Sequence, residues 1–193
     1  IGDSANRAVL EIYSDILPPE NERRWRIEHA QVIHPEDFKT FGKYNIIPAI
    51  NSTHATSDMY WADERLGKER LNNAYAYKKL LNENGWLPNG SDFPVEEINP
   101  IYGFYAAFAR KDLKGNPEGG FQPENALTRK EALKAMTQWA AKACFEENEH
   151  GSIEKGKNAD FVVTNKDLMH AKEKEVPKIK VIDTFIDGQK VSN

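Results

Sequence analysis

A single cysteine in 193 residues, Cys144, excludes an internal disulfide framework. It sits among Ala140, Ala141 and Ala143, so it is expected to be a small core residue rather than a nucleophile. It carries no signal of compartment, and cytoplasm and periplasm are both compatible with it. No apolar run approaches the ~20 residues that a membrane span requires. An excess of positive charge is missing as well. The 26 Lys and Arg residues are interspersed with 30 Asp and Glu, giving a formal net charge of −4. That balance gives no footing for a nucleic-acid partner. Internal repeats and low-complexity segments are lacking too. The remaining composition, 39% hydrophobic and 29% charged, suits one large or two small globular units.

What the chain has in quantity is alternation. A stripe of Ala5, Val9, Ile12, Tyr13 and Ile16 predicts a helix over residues 3–17, capped by Asp3 or Ser4 and stopped by Pro18-Pro19. Trp25, Ile27 and His29 alternate with Arg24, Arg26 and Glu28, the period of a strand. Pro35 opens a helix carrying Phe38 and Phe41, with Gly42 at its end. Ile46 to Ile50 reads as a short strand despite Pro48, and a polar loop is expected from Asn51 to about Gly67. Leu71, Ala74, Tyr75, Lys78 and Leu81 predict a helix closed by Gly85. Trp86-Leu87 then lead into a strand ending at Asp92. Pro100 to Phe108 is amphipathic, and residues 111–127 read as a loop. Thr128 and Glu131 form a capping box for a helix running to Cys144. Strand and helix thus alternate three times, the signature of a parallel sheet with crossover helices. From Gly151 the texture becomes β-rich, with strands at Ala159–Val163 and Lys180–Ile186 and a hairpin turn at Asp187-Gly188. The division is therefore residues 1–150 and 151–193.

Two strand ends finish on side chains able to do chemistry. His29 shares a face with two apolar residues, so it is either a core histidine satisfied by a backbone group or a ligand at a strand's C-terminal end. Asp92, in Gly90-Ser91-Asp92-Phe93-Pro94, either closes an Asx turn or caps a helix, or it holds a metal or takes a proton. His54 is either a donor to a substrate oxygen or an ordinary loop histidine. Glu28 is expected to pair with Arg26, His34 to sit in a turn, and His150 and His170 to be solvated. Two ligands alone fall short of the three or four of a zinc site.

Several segments together resemble the metal-dependent amidohydrolases, and within them the branch of N-substituted formamide deformylases and YtcJ-like proteins. They are Ile1-Gly2-Asp3, Arg26-Ile27-Glu28-His29-Ala30-Gln31, Thr53-His54-Ala55-Thr56-Ser57-Asp58-Met59 with Trp61, and Glu64-Arg65-Leu66-Gly67. They continue with Gly90-Ser91-Asp92-Phe93-Pro94-Val95-Glu96, Gly151 to Lys157 and Ala159-Asp160-Phe161. The resemblance implies an α/β fold: the C-terminal part of a (β/α)8 TIM barrel, about strands six to eight, plus C-terminal strands of a small β-sandwich. It implies that His29 and Asp92 bind a divalent metal, zinc by expectation. Asp92 would also be the general base toward a metal-activated water, and His54 would face the substrate. The implied parent hydrolyses an amide or formamide carbon–nitrogen bond of a small molecule. The rival expectation is a non-catalytic fragment with an assembly or structural role.

Two departures bear on these expectations. A further metal-binding histidine of the family falls just before Ile1, and the strand-one His-x-His pair is absent from the chain. Ile50-Asn51-Ser52 stands where relatives often carry a Gln-Pro pair. The chain alone is accordingly expected to be inactive, to lack an N-terminal half as partner, and to self-associate. The surface expected to drive self-association is an uncovered inner face made of Trp25, Ile27 and part of Ile46 to Ile50.

Overall fold

The computed structural model describes residues 1–191 and mixes helices with short strands. Helix α1 (Asp3–Ile16) forms where expected, but its buried face is Asn6 and Leu10 rather than the predicted stripe, and Ile12 and Ile16 are exposed. An amide turns inward because it is satisfied there: Asn6 Nδ2 donates to the carbonyl of Val32 at 2.8 Å. Gly2 is the N-cap, and Asp3 Oδ1 accepts from the Ser4 backbone N–H at 3.0 Å in the first turn. The Asp3 carboxylate also accepts from Arg70 at 2.8 and 2.9 Å.

Strand β1 is only Arg26–Ile27, because the backbone turns left-handed on both sides, at Arg24 (φ 56°) and His29 (φ 69°). It pairs in parallel with β2 (Ile47–Pro48) through Arg26↔Ile47 and Ile27↔Pro48. The predicted strand before Asp92 shrinks to one parallel bridge, Ile50↔Asn89, with Ile50 N–H donating to Pro88 and Gly90 N–H donating to Ile50, both at 2.9 Å. Three segments therefore lie side by side and parallel, and the chain leaves all three at the same end.

Between β1 and β2 lies α2 (Phe38–Lys43), whose Phe38 and Phe41 are buried. Gly42 does not end this helix. A Cβ there would stand 2.1 Å from the Glu83 carbonyl oxygen, so glycine lets α2 lie directly against the next crossover helix.

The predicted polar loop after β2 is two helices, α3 (Ser52–Asp58) and α4 (Ala62–Leu71), the latter kinked at Gly67. Helix α5 (Tyr77–Asn84) starts later than expected and ends on a left-handed Gly85. Helix α6 (Pro100–Ala109) is capped by Asn99, whose side chain accepts from Ile101 N–H, and packs on α3. The capping box at Thr128 and Glu131 opens α7 (Arg129–Met136). Thr137 Oγ1 bonds back to the Leu133 carbonyl at 2.7 Å and the helix breaks there, leaving α8 (Gln138–Ala143) as a separate piece. Cys144 lies one residue past that helix and is exposed, not in the core.

Three strands near the C-terminal end form an antiparallel sheet in the order β3 (Phe161–Thr164), β4 (Val181–Ile186), β5 (Gln189–Val191), with Asp187-Gly188 as the predicted hairpin turn. The core lies under α2, α3, α5 and α6, where Phe38, Phe41, Ile46, Leu80 and Phe104 are almost wholly buried. The inner face expected to lie open is covered: Ile27, Ile46, Ile47, Ala49 and Ile50 are buried, and Trp25 packs on Tyr13 at 4.9 Å between ring centres.

Candidate metal centre

The shared exit of the three parallel segments brings His29, His54 and Asp92 together. His29 follows β1, His54 lies in the first turn of α3 just after β2, and Asp92 follows the third segment. One ligand atom from each lies within 4.8 Å of the others, the one such His/Asp cluster found among the described residues. The two imidazoles stack with centroids 5.5 Å apart and planes 13° from parallel. His54 Nε2 is 3.5 Å from Asp92 Oδ2 and 4.0 Å from Glu96 Oε1.

The local backbone is held in uncommon geometry at this place. His29 (φ 69°) and Asp92 (φ 61°) both sit in the left-handed region, where a residue with a Cβ pays a conformational cost. Such positions persist where surrounding structure over-determines them, and here it does. Asn89 accepts from Ser52 N–H and donates to Ser52 Oγ, both at 2.9 Å, and Ser52 Oγ donates to the Gly103 carbonyl at 2.7 Å. A Cβ at Gly103 would lie 3.4 Å from Asn89 Nδ2, so glycine admits this close contact. The network ties the start of α3 to the third parallel segment and fixes His54 beside Asp92.

The donor set fits a divalent cation. His29 Nδ1 and His54 Nε2 are buried and have no hydrogen-bond partner, a costly arrangement for imidazole nitrogens unless something else satisfies them. An imidazole nitrogen and a carboxylate oxygen, from His29 and Asp92, are suitable ligands for such a cation, and the His54 ring faces the same space. Asp92 is the more exposed member, with 37% of its side chain accessible.

The other candidates lie elsewhere. Glu28 pairs with Arg26 at 2.6 Å, as expected. His34 stands 2.7 Å from an Arg7 nitrogen, His150 bonds Asp160 at 2.8 Å, and His170 bonds Asp167 at 2.7 Å. Nearby, Asp58 accepts from Tyr75 OH at 2.8 Å and from Gln31 at 3.3 Å. Burial, and then the bond to Asp58, push the Tyr75 phenol well above its usual range, so it stays a donor. Sequence reasoning assigned no role to Glu96. Its Oε1 accepts from Ser57 Oγ at 2.6 Å, and its place at the end of the Gly90 to Glu96 segment, four residues after Asp92, was the available signal.

An α/β fold that gathers imidazoles and a carboxylate where parallel segments end has the plan of a metal-site protein. The comparisons make the class specific. The amidohydrolase family model matches residues 1–192, and the chain belongs to that family. Among curated relatives it is 33% identical to protein LONG AFTER FAR-RED 3 of Arabidopsis thaliana, covering 99% of this chain and 33% of that protein. It is 31% identical to YtcJ of Bacillus subtilis, covering 98% and 36%. It is 34% identical to the N-substituted formamide deformylase of Arthrobacter pascens, covering 97% and 34%. Among solved structures, an uncharacterized metal-dependent hydrolase from Pyrococcus horikoshii matches with a TM-score of 0.75 at 25% identity, over 90% of this chain and 34% of that one. The chain spans about a third of the length of the curated relatives it matches.

Proposed function

We propose that this chain supplies part of the active site of a metal-dependent hydrolase that cleaves non-peptide carbon–nitrogen bonds, an amide or formamide of a small molecule. In this reading residues 1–150 belong to a (β/α)8 barrel, with β1, β2 and the 88–90 segment as strands six to eight. Residues 151–193 belong to a β-sandwich. The carrying observation is the convergence of His29, His54 and Asp92, with two buried imidazole nitrogens left without partners. Family membership and the deformylase's name support the bond class.

His29 and Asp92 are the residues that would hold the metal, zinc in this reading. A divalent metal there supplies Lewis acidity toward a carbonyl oxygen and toward water. Asp92 Oδ2 takes the proton from the attacking water and returns it to the leaving amine. His54 Nε2, buried and pointing toward Asp92, donates to the substrate oxygen and orients the carbonyl. The left-handed backbone at His29 and Asp92 fits a site whose geometry is set before substrate arrives. The chain by itself is further proposed to self-associate, through the exposed apolar side chains of its sheet rather than through the covered inner face.

In the full-length protein, Asp92→Asn keeps the shape of the side chain but removes its proton acceptor. The expected loss is about 10²–10⁴ in kcat with KM little changed, as for other positioned general bases. A variant that keeps more than about a tenth of wild-type kcat would demote Asp92 to a structural role and favour a non-catalytic chain.

A further inference from the structure

Next to the metal centre, α3, α6 and the turn after Arg110 enclose a second cavity of about 230 Å³. Glu96 belongs to both spaces: it lines this cavity, and its Oε1 lies 4.0 Å from His54 Nε2. Its side chain is 18% exposed, and its one hydroxyl donor is Ser57. Glu97 lines the same wall. The positive charge that could neutralise them is engaged elsewhere, because Lys111 pairs with Glu173 at 2.7 Å. Asp112 is occupied too, accepting from Tyr60 OH and from the Lys114 and Asn116 backbone N–H groups. Thr53 also lines the cavity. It is 8% exposed, and its Oγ1 has no hydrogen-bond partner. Tyr60 and Tyr102 add aromatic surface.

A net negative wall, a spare hydroxyl and aromatic flanks suit a primary ammonium, which brings three donors, a charge and affinity for ring faces. We propose that this cavity receives a cationic alkylammonium substituent of the substrate, anchored by Glu96 and Thr53. The assignment rests on the hydrolase reading for the word substrate. It adds a direction: a formamide carries only hydrogen on its acyl side, so the substituent comes from the amine side.

The test uses the full-length protein and two matched probes, N-(4-aminobutyl)formamide and N-pentylformamide. Calorimetry with butylammonium serves as a readout independent of turnover. The expected result is a preference for the cationic probe of about tenfold in kcat/KM, the scale of one hydrogen bond to a charged group. Glu96→Gln should erase that preference and weaken butylammonium binding by a similar factor. Thr53→Val should shift the ratio in the same direction by less, and provides a reading if the first variant fails to fold. Equal use of both probes by the wild type, or a ratio unmoved in both variants, overturns the assignment, as does an absence of butylammonium binding. If neither formamide is hydrolysed while butylammonium binds and Glu96→Gln weakens that binding, the formamide reading fails and the cavity assignment is supported.

Discussion

The two ends of this chain are built by different means. Around the candidate metal centre, polar groups are fixed by contacts distant in sequence: Ser52 to Asn89 and Gly103, and Tyr77 OH to the Asn51 carbonyl at 2.9 Å. In the sheet of β3, β4 and β5 the strands are held chiefly by backbone pairing with one another, and no strand residue is buried. Val162, Ile182 and Ile186 are about half exposed. A region that must hold chemistry at a fixed geometry buries its scaffold. The sheet keeps apolar surface available, which natural sheets usually cover.

The comparison breaks most sharply on stability. Phe104, on the helix α6 that packs against α3 and α7, is completely buried, whereas Val162 is 53% exposed. Phe104→Ala should lower unfolding free energy by about 3–5 kcal/mol, the usual cost of deleting a buried aromatic ring. Val162→Ala should change it by less than about 1 kcal/mol. Paired denaturant melts decide the point, and equal losses would mean that the two regions share one cooperative core.

A second measurement reads the sheet directly. If the exposed strand faces drive self-association, Val162→Ser combined with Ile186→Ser should lower the apparent mass in light scattering after size exclusion. Each buried aliphatic side chain is worth about 1.5–3 kcal/mol at most, so the pair should shift the midpoint concentration by roughly tenfold or more. A monomeric wild-type chain, or an unchanged association in the double variant, would leave the sheet without that role.

The same contrast explains what could be read from the chain. Features written into adjacent residues were legible: the helix from Pro100, the Thr128 and Glu131 box, the stop at Gly85, the Asp187-Gly188 turn. Helix α3 was read as a loop because it shows no apolar stripe. Ser52, Thr53, His54, Ala55 and Thr56 are all buried, so it has no solvent face to alternate with. Two of its buried hydroxyls are satisfied internally, Thr56 by the Thr53 carbonyl at 3.0 Å and Ser52 by the Gly103 carbonyl, and that pattern needs the tertiary structure. The tilt of α1 was misread for the same reason, since Asn6 turns inward toward a carbonyl 26 residues away. His29 and Asp92 stood out because each ends an expected strand. Glu96 did not, because its relation to the site depends on where α3 is placed.

The smallest expected effect concerns the tie between the regions. Arg24, just before β1, donates to both carboxylate oxygens of Glu147, in the segment between α8 and the sheet, and one of these bonds is 2.8 Å. Arg24 also donates to the Lys142 carbonyl and stacks over Phe145 at 4.2 Å, so the guanidinium closes the linker onto the strand end. The hydrogen bonds from Arg24 hold the Glu147 carboxyl down at about 2, well below the usual carboxylate range. The folded state therefore binds this proton less readily than the unfolded one. The tie stabilises fully above pH ~4.5 and loses its contribution as pH falls toward ~2. About a third of the Glu147 side chain is exposed, so solvent screening keeps the contribution to about 0–1 kcal/mol despite the size of the shift. Glu147→Gln should cost that amount at pH 7 and nothing near pH 2, narrowing the gap between the two melts as acid is added. A gap that stays constant from pH 7 to pH 2 would show that Arg24 holds the linker through Lys142 and Phe145 rather than through charge.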